Sequence, residues 1–339
     1  MTRLPFIEKS TQWVKLKSGT KIRYSRMEFN WDDFDYEEDF DAKEDPVVFL
    51  CIPGNPGNDG FYQNFGIFLL RAFASSSAFK HIKFFSIAHA NHVPLLPGEQ
   101  VCDKRFSLDD QIKIKMEFME EYLPIIVGNK KSRIFLIGHS IGAYISLKIL
   151  PKLLSDGWNC VTCYCLFPTV EDMALTPNGT RLGPIVKFFN YFDSIFRWPF
   201  ALIHYCIPKS FKKWAVRKFL GDLMSDSIIE AAAELINPLV VRNIVHMTVH
   251  ELQQVCTFDE SLIATPHNHH AMFFYAREDG WAPVEFATRM TGRMPRGTLQ
   301  VIIDPMGEFE HAFVLKNSLQ MAQRLNRLIL SRLGISYGL

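Results

Sequence analysis

Arg133-Ile-Phe-Leu-Ile-Gly138-His139-Ser140-Ile141-Gly142-Ala-Tyr-Ile-Ser-Leu-Lys-Ile-Leu150 is the stretch that decides the fold of this chain. Its opening residues, rich in Ile, Phe and Leu, form an apolar run of strand length. The segment after Gly142 is mostly apolar and too long for another strand, so it reads as a helix. Between them, Gly-His-Ser-Ile-Gly makes a tight turn with Ser140 at its apex. A G-x-S-x-G turn between strand and helix strains the serine backbone, and its glycines admit neighbouring chain without Cβ clashes. The predicted result is a hydroxyl held up at the carboxyl edge of a sheet.

The flanking segments supply the rest of that sheet. Pro46-Val-Val-Phe-Leu-Cys-Ile52 is continuously apolar, as a strand covered on both faces requires, and it ends in Pro53-Gly54-Asn55-Pro56-Gly57. Lys83–Ala88, Val161–Phe167, Ala271–Ala276 and Thr298–Asp304 read as further strands. Helices are predicted over 61–78, after the capping box Ser107-Leu108-Asp109-Asp110, and through Leu315, Leu319, Ala322, Leu325 and Ile329 to Gly334. Residues 13–25 alternate in polarity around Ser18-Gly19 and predict an antiparallel hairpin. Strands alternating with helices after that hairpin imply an α/β protein with a mostly parallel, doubly wound sheet. Roughly one hundred residues separate Phe167 from Ala271, too many for a loop. The expected organisation is a core in two parts, 1–168 and 266–339, interrupted by a helical cap insertion over 169–265.

The chain has 339 residues, 48% of them hydrophobic, enough to bury a large core. A net charge of +1 argues against nucleic acid as a partner. That balance hides two opposed regions: ten acidic residues and one lysine from Glu28 to Asp45, and eight basic residues against Asp193 alone from Arg181 to Lys218. The acidic run reads as a solvated loop. Seven cysteines is an odd number, and Cys51, Cys160, Cys163, Cys165 and Cys206 sit in apolar segments where a small hydrophobe packs well. A reduced, cytosol-facing protein is expected, with Cys160-x-x-Cys163-x-Cys165 as strand rather than metal site. Around Arg3, Glu8 and Lys9 there is no apolar run of signal-peptide length.

A serine hydroxyl needs a base within hydrogen-bond reach and a third group to orient that base. Two late strands end in suitable residues, Asp279 in Glu278-Asp279-Gly280-Trp281 and His311 in Glu310-His311-Ala312. The chain order Ser140, Asp279, His311 is that of an α/β-hydrolase. His311 is the expected base and Asp279 the acid that fixes its tautomer; Glu278 and Asp172 are the competing acids. His267, His269 and His270 precede a strand and so fall at the wrong edge, His89 and His92 are placed to line the site, and His139 is expected to bond locally. Backbone N–H groups of Ile141 and Asn55 are the candidate oxyanion donors, since Pro56 has none to give. This chemistry requires neither a metal nor an organic cofactor.

Ile-Pro-Gly-Asn-Pro-Gly at 52–57, Gly-His-Ser-Ile-Gly-Ala-Tyr at 138–144, Asp-Gly-Trp-Ala-Pro at 279–283 and His311 together resemble the lipid droplet-associated hydrolase family over nearly the whole chain. The resemblance places the nucleophile on Ser140, the acid on Asp279 and the base on His311. It implies a protein on the cytosolic face of lipid droplets and endoplasmic reticulum, hydrolysing cholesteryl esters or triacylglycerol as a serine lipid esterase. The alternative from another class is a droplet-surface protein that organises neutral-lipid storage with little turnover.

Within the insertion, residues 184–208 are aromatic-heavy but broken by Lys187, Asp193, Arg197 and Pro199, so they do not make a spanning helix of about 20 apolar residues. A monotopic helix-Pro-helix hairpin is expected instead, with Phe188, Phe189, Phe192, Phe196, Trp198 and Phe200 in the acyl boundary. Lys209, Lys212, Lys213, Arg217 and Lys218 are expected at the headgroups. The competing reading is a cap packed on the catalytic core.

Overall fold

The computed structural model describes residues 6–30, 45–77, 79–99, 103–264, 267–296 and 299–335. Most of the acidic run, and Thr298 of the last predicted strand, lie outside them. β1 (Phe6–Lys15) and β2 (Lys21–Asn30) form the N-terminal hairpin; β3 (Val47–Ile52), β4 (Ile82–Ile87), β5 (Arg133–His139), β6 (Cys160–Leu166), β7 (Ala271–Tyr275) and β8 (Val301–Ile303) follow. Hydrogen bonding orders them β1-β2-β4-β3-β5-β6-β7-β8. The β1–β2 and β2–β4 pairings are antiparallel, and every pairing from β4 through β3 to β8 is parallel. The hairpin strands are ten residues each, longer than the polarity alternation predicts. β2 is held on its other side by β4 along Tyr24–Phe29, which carries regular pairing past the end of the pattern.

α1 (Gln63–Ser76), α2 (Leu108–Glu121), α3 (Leu123–Val127) and α4 (Ile141–Ser155) precede β6 in the chain. Between β6 and β7 come α5 (Pro177–Tyr191), α6 (Asp193–Cys206), α7 (Lys209–Leu220), α8 (Asp226–Glu234) and α9 (Pro238–Gln254). α10 (Val284–Arg293), α11 (Phe313–Lys316) and α12 (Ser318–Arg332) complete the order. The central strands bury both faces. Val48, Leu50, Ile134 and Leu136 share one core with Phe118, Ile145 and Met290 of α2, α4 and α10. Their sequence neighbours Phe49, Phe135 and Ile137 share the other with Phe65, Leu325 and Ile329 of α1 and α12. Each such side chain, fully removed from water, contributes roughly 1.5–3 kcal/mol before conformational entropy is charged against it. The predicted capping box is present at α2, where Ser107 and Asp110 bond each other's backbone N–H.

Candidate active site

β5 delivers the chain to Ser140 and α4 leaves from it. Ser140 has φ 54° and ψ −124°, a conformation that non-glycine residues rarely adopt and that costs on the order of 1–3 kcal/mol. The turn is tight because the end of the neighbouring strand β3 is in contact: a Cβ on Gly142 would lie 2.2 Å from the Ile52 carbonyl oxygen. Gly54 is constrained as well, though less tightly, since a Cβ there would sit 2.9 Å from Ser140 Cβ. The loop after β3 therefore runs directly beside the serine, which is only 8% exposed.

His311 and Asp279 meet Ser140 in the predicted order. The Ser140 hydroxyl lies 2.9 Å from His311 Nε2, and His311 Nδ1 lies 2.7 Å from Asp279 Oδ2. Because Asp279 accepts only, Nδ1 carries the proton and Nε2 presents its lone pair to the hydroxyl. The other carboxylate oxygen accepts from the N–H groups of Trp281 at 2.7 Å and Ala282 at 3.0 Å. Burial pushes the Asp279 carboxyl up, but the His311 contact and these two N–H groups outweigh it and hold it below its ordinary value. Asp304 shapes the loop that carries the base, accepting from Met306 N–H and Phe309 N–H.

The competing acids are otherwise engaged. Asp172 pairs with Arg289 at 2.7 Å, and Glu278 is exposed. His267, His269 and His270 form a short turn before β7, at the opposite edge of the sheet from Ser140. His92 Nδ1 lies 2.8 Å from the Pro56 carbonyl, and a Cβ on Gly57 would meet the His89 ring at 2.5 Å. Both histidines thus back the loop of residues 53–57 from beneath.

Asn55 is tied to the insertion, which the sequence does not indicate. Its side-chain amide lies 2.8 Å from Thr248 Oγ1, 3.0 Å from Glu251 Oε1 and 3.2 Å from the Ile244 carbonyl, all on α9. Glu251 is buried, and desolvation pushes its carboxyl up to about 8 while the Asn55 amide pulls the other way. A second tie joins α5 to the acid loop, where Asn178 N–H donates to the Gly280 carbonyl at 2.8 Å. Neither Thr248 nor Glu251 carries a motif; a lone acid on an amphipathic helix gives no sign of burial.

The insertion differs from expectation in four ways. The chain bends at Phe192, φ −94° and ψ 30°, while Pro184 and Pro199 lie inside α5 and α6. Asp193 opens α6 and pairs with Arg242 of α9 at 2.8 Å, which anchors that corner. The six aromatic residues also divide. Phe188, Phe192 and Trp198 are exposed, Trp198 at 71%, whereas Phe189, Phe196 and Phe200 turn inward and line a cavity of ≈ 200 Å³ against α9. Cys206 is exposed rather than packed. The expected headgroup cations are already partnered: Lys209 and Lys213 with Glu230, Arg217 with Asp226, Lys218 with Asp222. Lys212 donates to the His204 carbonyl at 3.1 Å. The acidic partners follow just beyond the basic stretch, so a charge count that stops at Lys218 overstates the positive face. Among the described residues no helix is long and apolar enough to cross a membrane.

The sheet order, the strained serine between β5 and α4 and the helices on both faces define an α/β-hydrolase. Known structures agree on the fold. The peroxisomal α/β-hydrolase Lpx1 of Saccharomyces cerevisiae superposes with a TM-score of 0.58 at 11% identity, covering 96% of this chain and 89% of its own. The 2-hydroxy-6-oxo-6-phenylhexa-2,4-dienoate hydrolase of Rhodococcus sp. strain RHA1 gives 0.56 at 13% identity, covering 97% and 100%. Sequence comparison narrows the class. The family model for lipid-droplet associated hydrolase matches residues 45–314. The lipid droplet-associated hydrolase of Drosophila melanogaster is 31% identical over 84% of this chain and 89% of its own length. That of Mus musculus is 27% identical over 85% of each, and that of Homo sapiens 25% identical over 87% of each. The chain belongs to the lipid droplet-associated hydrolase family and is a hydrolase.

Proposed function

We propose that this protein is a serine-type carboxylic ester hydrolase acting on neutral-lipid esters, cholesteryl ester or triacylglycerol, at the lipid droplet surface. The observation that carries the reading is the continuous line from Ser140 Oγ through His311 to Asp279, with contacts of 2.9 and 2.7 Å. In the acylation step Ser140 Oγ attacks the ester carbonyl carbon as His311 Nε2 takes the hydroxyl proton. The Ile141 and Asn55 N–H groups receive the oxyanion, Ile141 from the first turn of α4, where backbone donors have no intrahelical acceptor. Collapse breaks the bond to the alcohol, which leaves with the proton from His311. Water then enters, His311 takes one of its protons, and attack on the acyl carbon frees the fatty acid and restores Ser140.

Two further features support a lipid surface as the place of action. The names of the relatives carry lipid-droplet association, and α5–α7 expose Phe188, Tyr191, Trp198, Tyr205, Trp214 and Phe219. Large apolar side chains exposed in this number on three consecutive helices are what a lipid-contacting face would present. The proposed attachment is monotopic, on the cytosolic face of the droplet monolayer and of the endoplasmic reticulum, with 169–265 as the cap and contact region and the two flanking parts as the catalytic core.

The same exposed surface favours a second reading, a droplet-surface protein that organises stored lipid with little turnover. Emulsified cholesteryl ester and triacylglycerol distinguish the two. Fatty acid release by wild type that Ser140→Ala loses supports the enzyme. Absence of release, with Ser140→Ala rescuing the droplet phenotype of null cells, supports the organiser.

A further inference from the structure

His139, inside the serine turn, has contacts that the proton-transfer line does not use. Its Nε2 lies 2.8 Å from the backbone carbonyl of His311, and its Nδ1 lies 2.6 Å from the Tyr62 hydroxyl. Tyr62 in turn accepts from Gly54 N–H at 2.9 Å. Every role in this chain is fixed. The His311 carbonyl only accepts, so His139 Nε2 carries a proton. The ring is buried against Phe167 and Phe313, and burial, aided by nearby His311, lowers its pKa to about 3. A neutral ring has one N–H, so Nδ1 is the acceptor and the Tyr62 hydroxyl donates to it. That commits the Tyr62 proton and leaves its oxygen for Gly54 N–H.

The two ends of this chain matter. Gly54 stands against Ser140 in the loop proposed to hold the oxyanion, and His311 is the proposed base. Both come from sequence segments far apart, and neither is fixed to the other by a strand pairing.

We propose that Tyr62 and His139 are positioning residues, a hydrogen-bonded strut that ties the oxyanion loop at Gly54 to the backbone of the base His311 around the buried side of Ser140. The strut sets the distance between the group that removes the proton and the donors that receive the charge. Neither residue touches substrate. The proposal rests on the serine-hydrolase reading, and its test separates the two.

Tyr62→Phe, His139→Phe and His139→Gln are made in the full chain and checked for cooperative melting. Each is then assayed with a soluble p-nitrophenyl ester and by its rate of fluorophosphonate labelling. Tyr62→Phe and His139→Phe should lower kcat on the order of 10- to 100-fold, with KM within about two-fold, since small displacements of reacting groups cost rate more than binding. His139→Gln, which keeps one donor and one acceptor at the ring-nitrogen spacing, should recover most of that loss. Folded Tyr62→Phe and His139→Phe with wild-type kcat and labelling rate would overturn the strut. If wild type itself shows neither turnover nor labelling at Ser140, the catalytic reading has failed, and 15N–1H spectra of the histidines decide the strut alone. A His139 ring that stays neutral with its proton on Nε2 at about pH 5 supports it; a ring that titrates near the ordinary 6.5 or carries its proton on Nδ1 contradicts it.

Discussion

The surroundings of Ser140 and the outer helices α5–α7 are both rich in aromatic residues, yet they are built on opposite terms. Around Ser140 the rings of Tyr62, Phe167 and Phe313 are buried, and polar atoms among them have partners of defined geometry. In α6, all of whose residues are described, none is buried, and Trp198 and Tyr205 face outward. A buried ring fixes the groups it encloses, whereas an exposed one costs free energy until something apolar covers it. One region is arranged to hold atoms still; the other is proposed to meet a surface.

If that division is correct, changes in the two regions separate chemistry from attachment. The largest effect is expected at the nucleophile. Ser140→Ala should lower ester turnover on the order of 10⁵-fold or more, while binding to a phospholipid-coated triacylglycerol emulsion, measured by flotation, stays at wild-type level. Asp279→Asn keeps the shape but favours the wrong His311 tautomer, and a loss on the order of 10³- to 10⁴-fold in kcat is expected. Flotation that falls with either variant would merge the two regions.

The converse change is the simultaneous replacement of Phe188, Trp198 and Phe219 by serine. Covering the exposed part of each ring is worth roughly 1–2 kcal/mol, so flotation should weaken at least about 10²-fold. Hydrolysis of a soluble ester should stay within about two-fold. The ion pairs of Lys209, Lys213, Arg217 and Lys218 sharpen the expectation. Attachment through rings rather than free cations should change little between about 0.05 and 0.5 M salt on a zwitterionic emulsion; steep loss would mean that charges detach from their partners at the surface.

The smallest effect lies at the seam between the regions, where Glu251 of α9 meets Asn55. The unfolded chain ionises this carboxyl above about pH 4.5, while the folded protein keeps it protonated up to about pH 8. Folding therefore takes up a proton in that window, and stability contributed by the neutral carboxyl is lost as pH rises through it. Glu251→Gln, neutral at every pH and still able to accept from Asn55, should melt like wild type near pH 5 and a few degrees higher near pH 8.5. Identical pH profiles would mean that Glu251 is ionised in the folded protein.

The elbow was legible in the sequence because it follows an apolar run that a central strand explains, and the two loops that meet it because each follows a short apolar run of strand length, the last of them, β8, at the sheet edge. Ser140, Asp279 and His311 needed nothing more than strand ends and chain order. Tyr62, Thr248 and Glu251 were not legible, since each gains its role from a partner brought by tertiary packing. The break at Phe192 was hidden for a related reason. The prolines at 184 and 199 look like stops, but the Asp193–Arg242 pair decides where the corner falls. The charge of α7 was misread because Asp222, Asp226 and Glu230 follow the basic run and fold back onto it.

The central claim is that Ser140 is an activated nucleophile, and the most direct test is intact-protein mass spectrometry after exposure to a fluorophosphonate, with and without emulsion. A single adduct on wild type, mapped to Ser140 and lost in Ser140→Ala, is the predicted result. Wild type that stays unmodified on the emulsion while a serine lipase in the same tube reacts fully would contradict the account.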